Sequence, residues 1–224
     1  MPNARFTRLE TAKKEAILEA AMEEFATYDY ELASINRIIE KADLTKGSLY
    51  YYFDNKEDIY ITAINEDINR WWEFLGNPLR IFANKDFWQA VTTFIELRLE
   101  YVYKFPHSLG LMRGMLTIID KEQGSAILNK IVNKNAKRFN TFLKIGYQKR
   151  EIRTDLPFDL LSSLFFAVFF AMLKWKINKT PDLKIVEAKE FSEKMINVFK
   201  RVFKPEDPQS HTIKLNNSLK KEKQ

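Results

Sequence analysis

Apolar residues return every three or four positions along nearly the whole of this 224-residue chain, and no alternating run of strand length interrupts them. A period near 3.6 lets one face of a helix be buried while the rest stays wet, so the pattern predicts an all-α protein. Six glycines and seven prolines are few for this length, which favours long helices over a turn-rich β fold. Ile17, Ala20, Ala21 and Phe25 share one face of a first helix, for which Thr7 and Glu10 form a candidate capping box. Ser34 can cap a short helix carrying Ile35, Ile38 and Ile39, and Ala42-Asp43-Leu44 is a tight connection. Thr45 caps the next short helix. Asn55 caps a fourth, with Glu57 and Asp58 in its first turn, that runs through Ile61, Ile64, Ile68 and Trp72 to Gly76-Asn77-Pro78.

Beyond Pro78 the spacing predicts helices over about 86–104, 108–120, 125–150, 157–177 and 186–203. From 205 to 224 the chain is polar and lacks aromatics, so a flexible tail is expected. The most apolar run, Leu160–Leu173 (LLSSLFFAVFFAML), is fourteen residues between Asp159 and Lys174. A membrane span needs about 20, so the run predicts a buried helix and no membrane.

Composition narrows function by exclusion. With no cysteine, disulfides and thiol chemistry are excluded, and a cytoplasmic location fits. The first sixteen residues, MPNARFTRLETAKKEA, contain no apolar core of a leader peptide. His107 and His211 are the only histidines, which leaves a metal site or a Ser-His-Asp triad almost nothing to use. GxGxxG and GxxxxGK[ST] loops are both absent. No catalytic residue, metal or cofactor is therefore expected. The net charge of +6 invites a nucleic-acid reading, yet residues 1–60 hold eight Lys/Arg against twelve Asp/Glu, a net of −4. The basic excess gathers in Lys130–Arg153, which reads as a solvated helix face. Any case for DNA must rest on particular residues.

Those residues lie in TKGSLYYYFDNKEDIY, Thr45–Tyr60. Ser34–Phe53 has the helix, short turn, helix arrangement, and only the start of a recognition helix must enter the major groove. Thr45, Lys46, Gly47 and Ser48 are small or polar there, and Gly47 lets backbone approach DNA closely. Leu49 and Phe53 are four apart and share an inward face, while Tyr50, Tyr51 and Tyr52 fan around the others.

ILEAAMEEF at Ile17–Phe25 and SINRIIEKADLTKGSLYYYFDNKEDIY at Ser34–Tyr60 resemble the N-terminal signature of the TetR (tetracycline-repressor-like) family, over about fifty residues without gaps. That signature runs I-x-x-A-A-x-x-x-F, a Gly-Tyr pair, then A-G-V-S-x-G-T-L-Y-Y-H-F and an acidic K-E/D-E/D-L. GYQKREIRTDLPFDLL at Gly146–Leu161 more weakly resembles the loop before the family's first dimerisation helix. The resemblance implies a three-helix DNA-binding domain over 1–55 and a larger helical ligand-binding and dimerisation domain over 56–204, with 56–75 as the connecting helix. It implies that Lys46, Gly47 and Tyr50 approach base edges or adjacent backbone. Ser34, Arg37, Thr45, Ser48, Tyr51, Tyr52 and Lys56 would serve backbone phosphates or support the contact. It also implies an apolar effector site, with Ile68, Trp72, Phe94, Tyr101, Met112, Met115, Phe139, Phe142, Phe166 and Phe170 as candidate lining. Helices near 157–177 and 186–203 would form a homodimer.

The chain departs from the pattern at four positions. Asp43 replaces the usual turn glycine, Asp29 the glycine of the Gly-Tyr pair, Ala33 a threonine and Tyr52 a histidine. The expected function is a repressor released from a palindromic double-stranded operator by a small, largely apolar molecule. An activator, or a helical adaptor on the same scaffold without operator binding, is the alternative.

Overall fold

The computed structural model describes residues 4–82, 85–118, 124–180 and 185–205. Among them are ten α-helices, one 3-10 turn and no strand. The helices are α1 (Ala4–Thr7), α2 (Thr11–Thr27), α3 (Ile35–Lys41), α4 (Lys46–Tyr52), α5 (Lys56–Leu75) and α6 (Phe87–Lys104). They continue as α7 (Pro106–Ile118), α8 (Gly124–Gln148), α9 (Phe158–Lys179) and α10 (Ile185–Phe203), with the 3-10 turn at Pro78–Phe82. The expected tail beyond residue 205 lies outside the described residues, as does Asp120.

Local chemistry explains most boundaries. The Thr45 hydroxyl accepts the Ser48 N–H at 3.2 Å, and the Asn55 side chain accepts the Asp58 N–H at 2.9 Å. Asp86 and Gln89 close a reciprocal capping box at the start of α6. Asp43, which replaces the family's glycine, has φ 50°, a left-handed conformation that Asp tolerates.

Three expectations need correction. Thr7 and Glu10 form no capping box: Thr7 closes the separate turn α1 by donating to the Ala4 carbonyl at 2.8 Å, and α2 starts at Thr11 without a side-chain cap. The cause is Phe6, whose buried ring lies 4.8 Å from Phe53 and draws the turn across α4. The Ser34 hydroxyl does not cap α3 either. The Ser34 N–H instead donates to the Glu24 carboxylate at 2.6 Å. The apolar run belongs to the 22-residue α9, which by length and composition could span a membrane, and only Leu161, Ser162 and Ile177 in it are buried. It is apolar on more sides than α7, α8 and α10 can cover.

Two apolar cores divide the chain. One joins α1–α4 to the first half of α5 around Phe25, Leu49, Phe53 and Tyr60, and also takes Leu111 and Ile118 of α7. The other gathers Trp71, Trp72, Phe87, Tyr101, Phe142 and Phe199. α5, about 30 Å long at 1.5 Å per residue, contributes to both, and α7 lies along α2.

Candidate nucleic-acid interface and effector cavity

α4 buries one side and presents the other. Leu49 and Phe53 are fully enclosed, whereas Lys46, Gly47, Tyr50 and Tyr51 are exposed. A Cβ on Gly47 would meet nothing within 4 Å, so its backbone stands open to an incoming molecule. Thr45 and Ser48 share a hydroxyl–hydroxyl hydrogen bond of 2.9 Å at the start of the helix. The three tyrosines are not equivalent. Tyr52 is half-buried, edge-on to Phe6 at 6.2 Å, while Tyr51 carries the Arg5 guanidinium 4.3 Å above its ring. α1 thus braces α4 and brings a cation to its outer face.

The flanking residues are tied inward. The Arg37 Nε and Nη2 donate to the Glu24 carboxylate at 2.6–3.0 Å, Nη2 also reaches the Leu32 carbonyl, and the guanidinium sits 4.1 Å over Tyr28. The Glu24 hydrogen bond raises the Arg37 pKa. Lys56 donates to the Glu31 carbonyl at 3.0 Å and lies 5.0 Å from the Tyr30 ring; burial lowers its pKa against the pull of Glu31. Internal pairing also engages several of the N-terminal acids. Glu15, Glu19 and Glu66 converge on Arg70, while Lys41 takes Glu23 and lowers its pKa through their hydrogen bond.

A cavity of about 440 Å³ lies among α5–α10, within the range of roughly 300–1,000 Å³ usual for ligand pockets. Ile68, Phe94, Met112, Met115, Phe139, Phe142, Phe166 and Phe170 line it, but Trp72 and Tyr101 do not. Helical phase is the reason. Ile64, Asp67, Ile68 and Trp71 form the inward stripe of α5, and Trp72, about 100° further round, packs on Phe139 and Phe142 from outside. Tyr101 is buried edge-on to Trp71, and its hydroxyl donates to Asp67 Oδ1 at 3.1 Å. Burial, then the Asp67 charge, push the Tyr101 pKa up.

The sequence reading missed Arg98. It shares the cavity-facing stripe of α6 with Val91, Phe94, Ile95, Leu99 and Val102, and a lone charge in that register was the available signal. Its Nη2 donates to Ser108 Oγ at 3.0 Å and stands 3.6 Å from Asp67 Oδ2; the Ser108 hydroxyl in turn donates to Asp67 at 2.9 Å.

Residues 17–63 match the family described as bacterial regulatory proteins, tetR family. The HTH-type transcriptional regulator RutR of Escherichia coli (strain K12) is 27% identical over 147 residues, 62% of this chain and 66% of RutR. The chain thus spans just under two thirds of that relative's length. The probable acrEF/envCD operon repressor of the same organism is 20% identical over 187 residues, covering 78% of this chain and 81% of that protein. Among solved structures, FadR from Bacillus subtilis in complex with stearoyl-CoA is similar in fold, with a TM-score of 0.65 and 18% identity over 82% of this chain and 96% of that one.

Proposed function

We propose that this chain, a member of the tetR family of bacterial regulatory proteins, is a cytoplasmic, ligand-responsive repressor that binds a palindromic operator as a homodimer. The observation that carries the reading is the outer face of α4, where Lys46, Gly47, Tyr50 and Tyr51 stand exposed on a helix pinned by Leu49 and Phe53. Lys46, Gly47 and Tyr50 would meet base edges; Thr45, Ser48 and Tyr51 would meet phosphates. Ser34, Arg37, Tyr52 and Lys56 would support that face, since their partners within the chain already hold them. Two copies would read half-sites about 34 Å apart, or a small multiple.

The dimer face in this reading is the uncovered side of α9, with Leu160, Leu164, Ala167, Ala171 and Trp175, beside Val198 and Val202 of α10. A largely apolar effector would occupy the cavity among α5–α10, where the walls are mostly Phe, Leu, Ile and Met. The stearoyl-CoA held by Bacillus subtilis FadR supports a long apolar effector on this scaffold. α7 offers the route to the DNA, because Met112 and Met115 line the cavity while its other side lies along α2. A ligand that binds one position of α7 better than the other shifts the equilibrium by that difference in affinity.

Selection of bound duplexes from a random pool by the purified protein tests the reading. A two-fold-symmetric sequence should be enriched, and log K for it should fall against log salt with a slope of roughly −4 to −8 for a dimer. A slope near zero would remove the phosphate contacts. The internal commitments of Arg37 and Lys56 favour, as a second reading, an adaptor without operator binding. An empty selection by protein that still binds apolar ligands is its signature.

A further inference from the structure

Most of the cavity wall is apolar, with Asn135 and Ser192 among its few polar residues. Its only charged lining residues, among those described, are Asp67 and Arg98. Both oxygens of Asp67 are served, Oδ1 by the Tyr101 hydroxyl at 3.1 Å and Oδ2 by the Ser108 hydroxyl at 2.9 Å. Arg98 is not satisfied in the same way. Its Nη2 bonds Ser108, while Nη1 is buried with no hydrogen-bond partner among the described residues. An orphaned guanidinium N–H in a low-dielectric wall is costly, and a carboxylate is the acceptor whose two oxygens match the guanidinium fork.

We infer that the cavity takes a single-chain amphiphile ending in a carboxylate, with the chain among Phe94, Phe139, Phe166 and Phe170 and the carboxylate on Arg98. This rests on the cavity being the effector site. An uncharged chain of the same length leaves Nη1 unpaired. A cationic one meets Arg98 as a like charge, and Asp67 is already engaged by Tyr101, Ser108 and Arg98. The ligand carboxylate and Asp67 are held on the same guanidinium, and the Tyr101 and Ser108 hydroxyls offset the added negative charge. A free fatty carboxylate and a fatty thioester of a phosphate-bearing carrier share the chain-plus-anion chemistry. One guanidinium, with Asp67 beside it, suits the single small anion.

The test is calorimetric titration of the full chain with dodecanoate, dodecanol, dodecyltrimethylammonium and dodecanoyl-CoA. Dodecanoate should bind about tenfold or more tighter than dodecanol and dodecyltrimethylammonium. Arg98→Met should remove that preference while leaving dodecanol affinity within about twofold; Arg98→Lys, which keeps the charge, should retain part of it. Equal binding of dodecanoate and dodecanol by the unaltered chain would overturn the inference, and that comparison needs no variant to fold. Tighter binding of dodecanoyl-CoA, indifferent to Arg98, or no binding of any probe would overturn it too. Operator binding measured in parallel separates this outcome from failure of the regulator reading: a protein that selects its operator but ignores all four probes has lost only the carboxylate assignment.

Discussion

Gly110 of α7 stands so close to α2 that a Cβ at its position would lie 2.3 Å from the carbonyl oxygen of Ala26. The obstacle is backbone, so no rotamer change relieves it. The same α7 lines the cavity through Met112 and Met115 and contributes Leu111 and Ile118 to the core around Phe25 and Leu49. A cavity wall and the first long helix of the proposed DNA-binding region are therefore in backbone contact at one glycine.

Gly110→Ala should force α7 off α2. The expected cost is about 1–3 kcal/mol, as for overpacking of a filled core, together with weaker operator binding. Urea denaturation followed by circular dichroism, and fluorescence anisotropy with operator duplex, read the two effects. Unaltered values in both would mean that the helices separate freely.

Glu24 is the acceptor that orders the start of α3, taking the Ser34 N–H and the Arg37 guanidinium from a side chain only 7% exposed. Glu24→Ala leaves those donors without their acceptor and should cost roughly 1–3 kcal/mol. Arg37→Ala should cost less, because Arg37 is 46% exposed and water can replace it at the carboxylate. Chemical denaturation of both variants decides; a larger loss from Arg37→Ala would reverse the assignment.

Tyr50 and Tyr51 are neighbours with different proposed tasks. Tyr51→Phe removes one phosphate-directed hydroxyl and should weaken all duplex sequences about equally. Tyr50→Ala should weaken the operator and also narrow its margin over unrelated sequence. Competition binding with operator and scrambled duplexes gives both quantities, and the opposite pattern would overturn the division.

The uncovered stripe of α9 predicts self-association. Leu164→Glu places a charge at a position already 37% exposed in the single chain, so folding should survive while the dimer does not. Sedimentation velocity should report monomers, and operator binding should fall with them. Stable dimers that bind operator at full affinity would place the interface elsewhere.

The all-α class, most helix ends and the short helix α4 were legible because each rests on residues close in sequence. Thr45 caps α4 across three positions, Asn55 caps α5 across three, and Leu49 and Phe53 declare their shared face across four. Where a distant residue intervened, the local reading failed. Phe6 was drawn to Phe53, which removed the Thr7–Glu10 capping box, and Glu24 took over the N–H of Ser34.

By itself, the sequence determined that the chain is helical, that residues 45–53 form a short helix with one buried side, and which family it resembles. Tertiary structure decided which of two adjacent tryptophans faces the cavity, since Trp71 and Trp72 differ only by one step of helical phase. It decided that Arg98 is a cavity residue, because its partners Asp67 and Ser108 arrive from two other helices. It also decided that α9 keeps an apolar side uncovered. Composition records how apolar a helix is, but burial depends on how many neighbours reach it, and within one chain α7, α8 and α10 do not surround it.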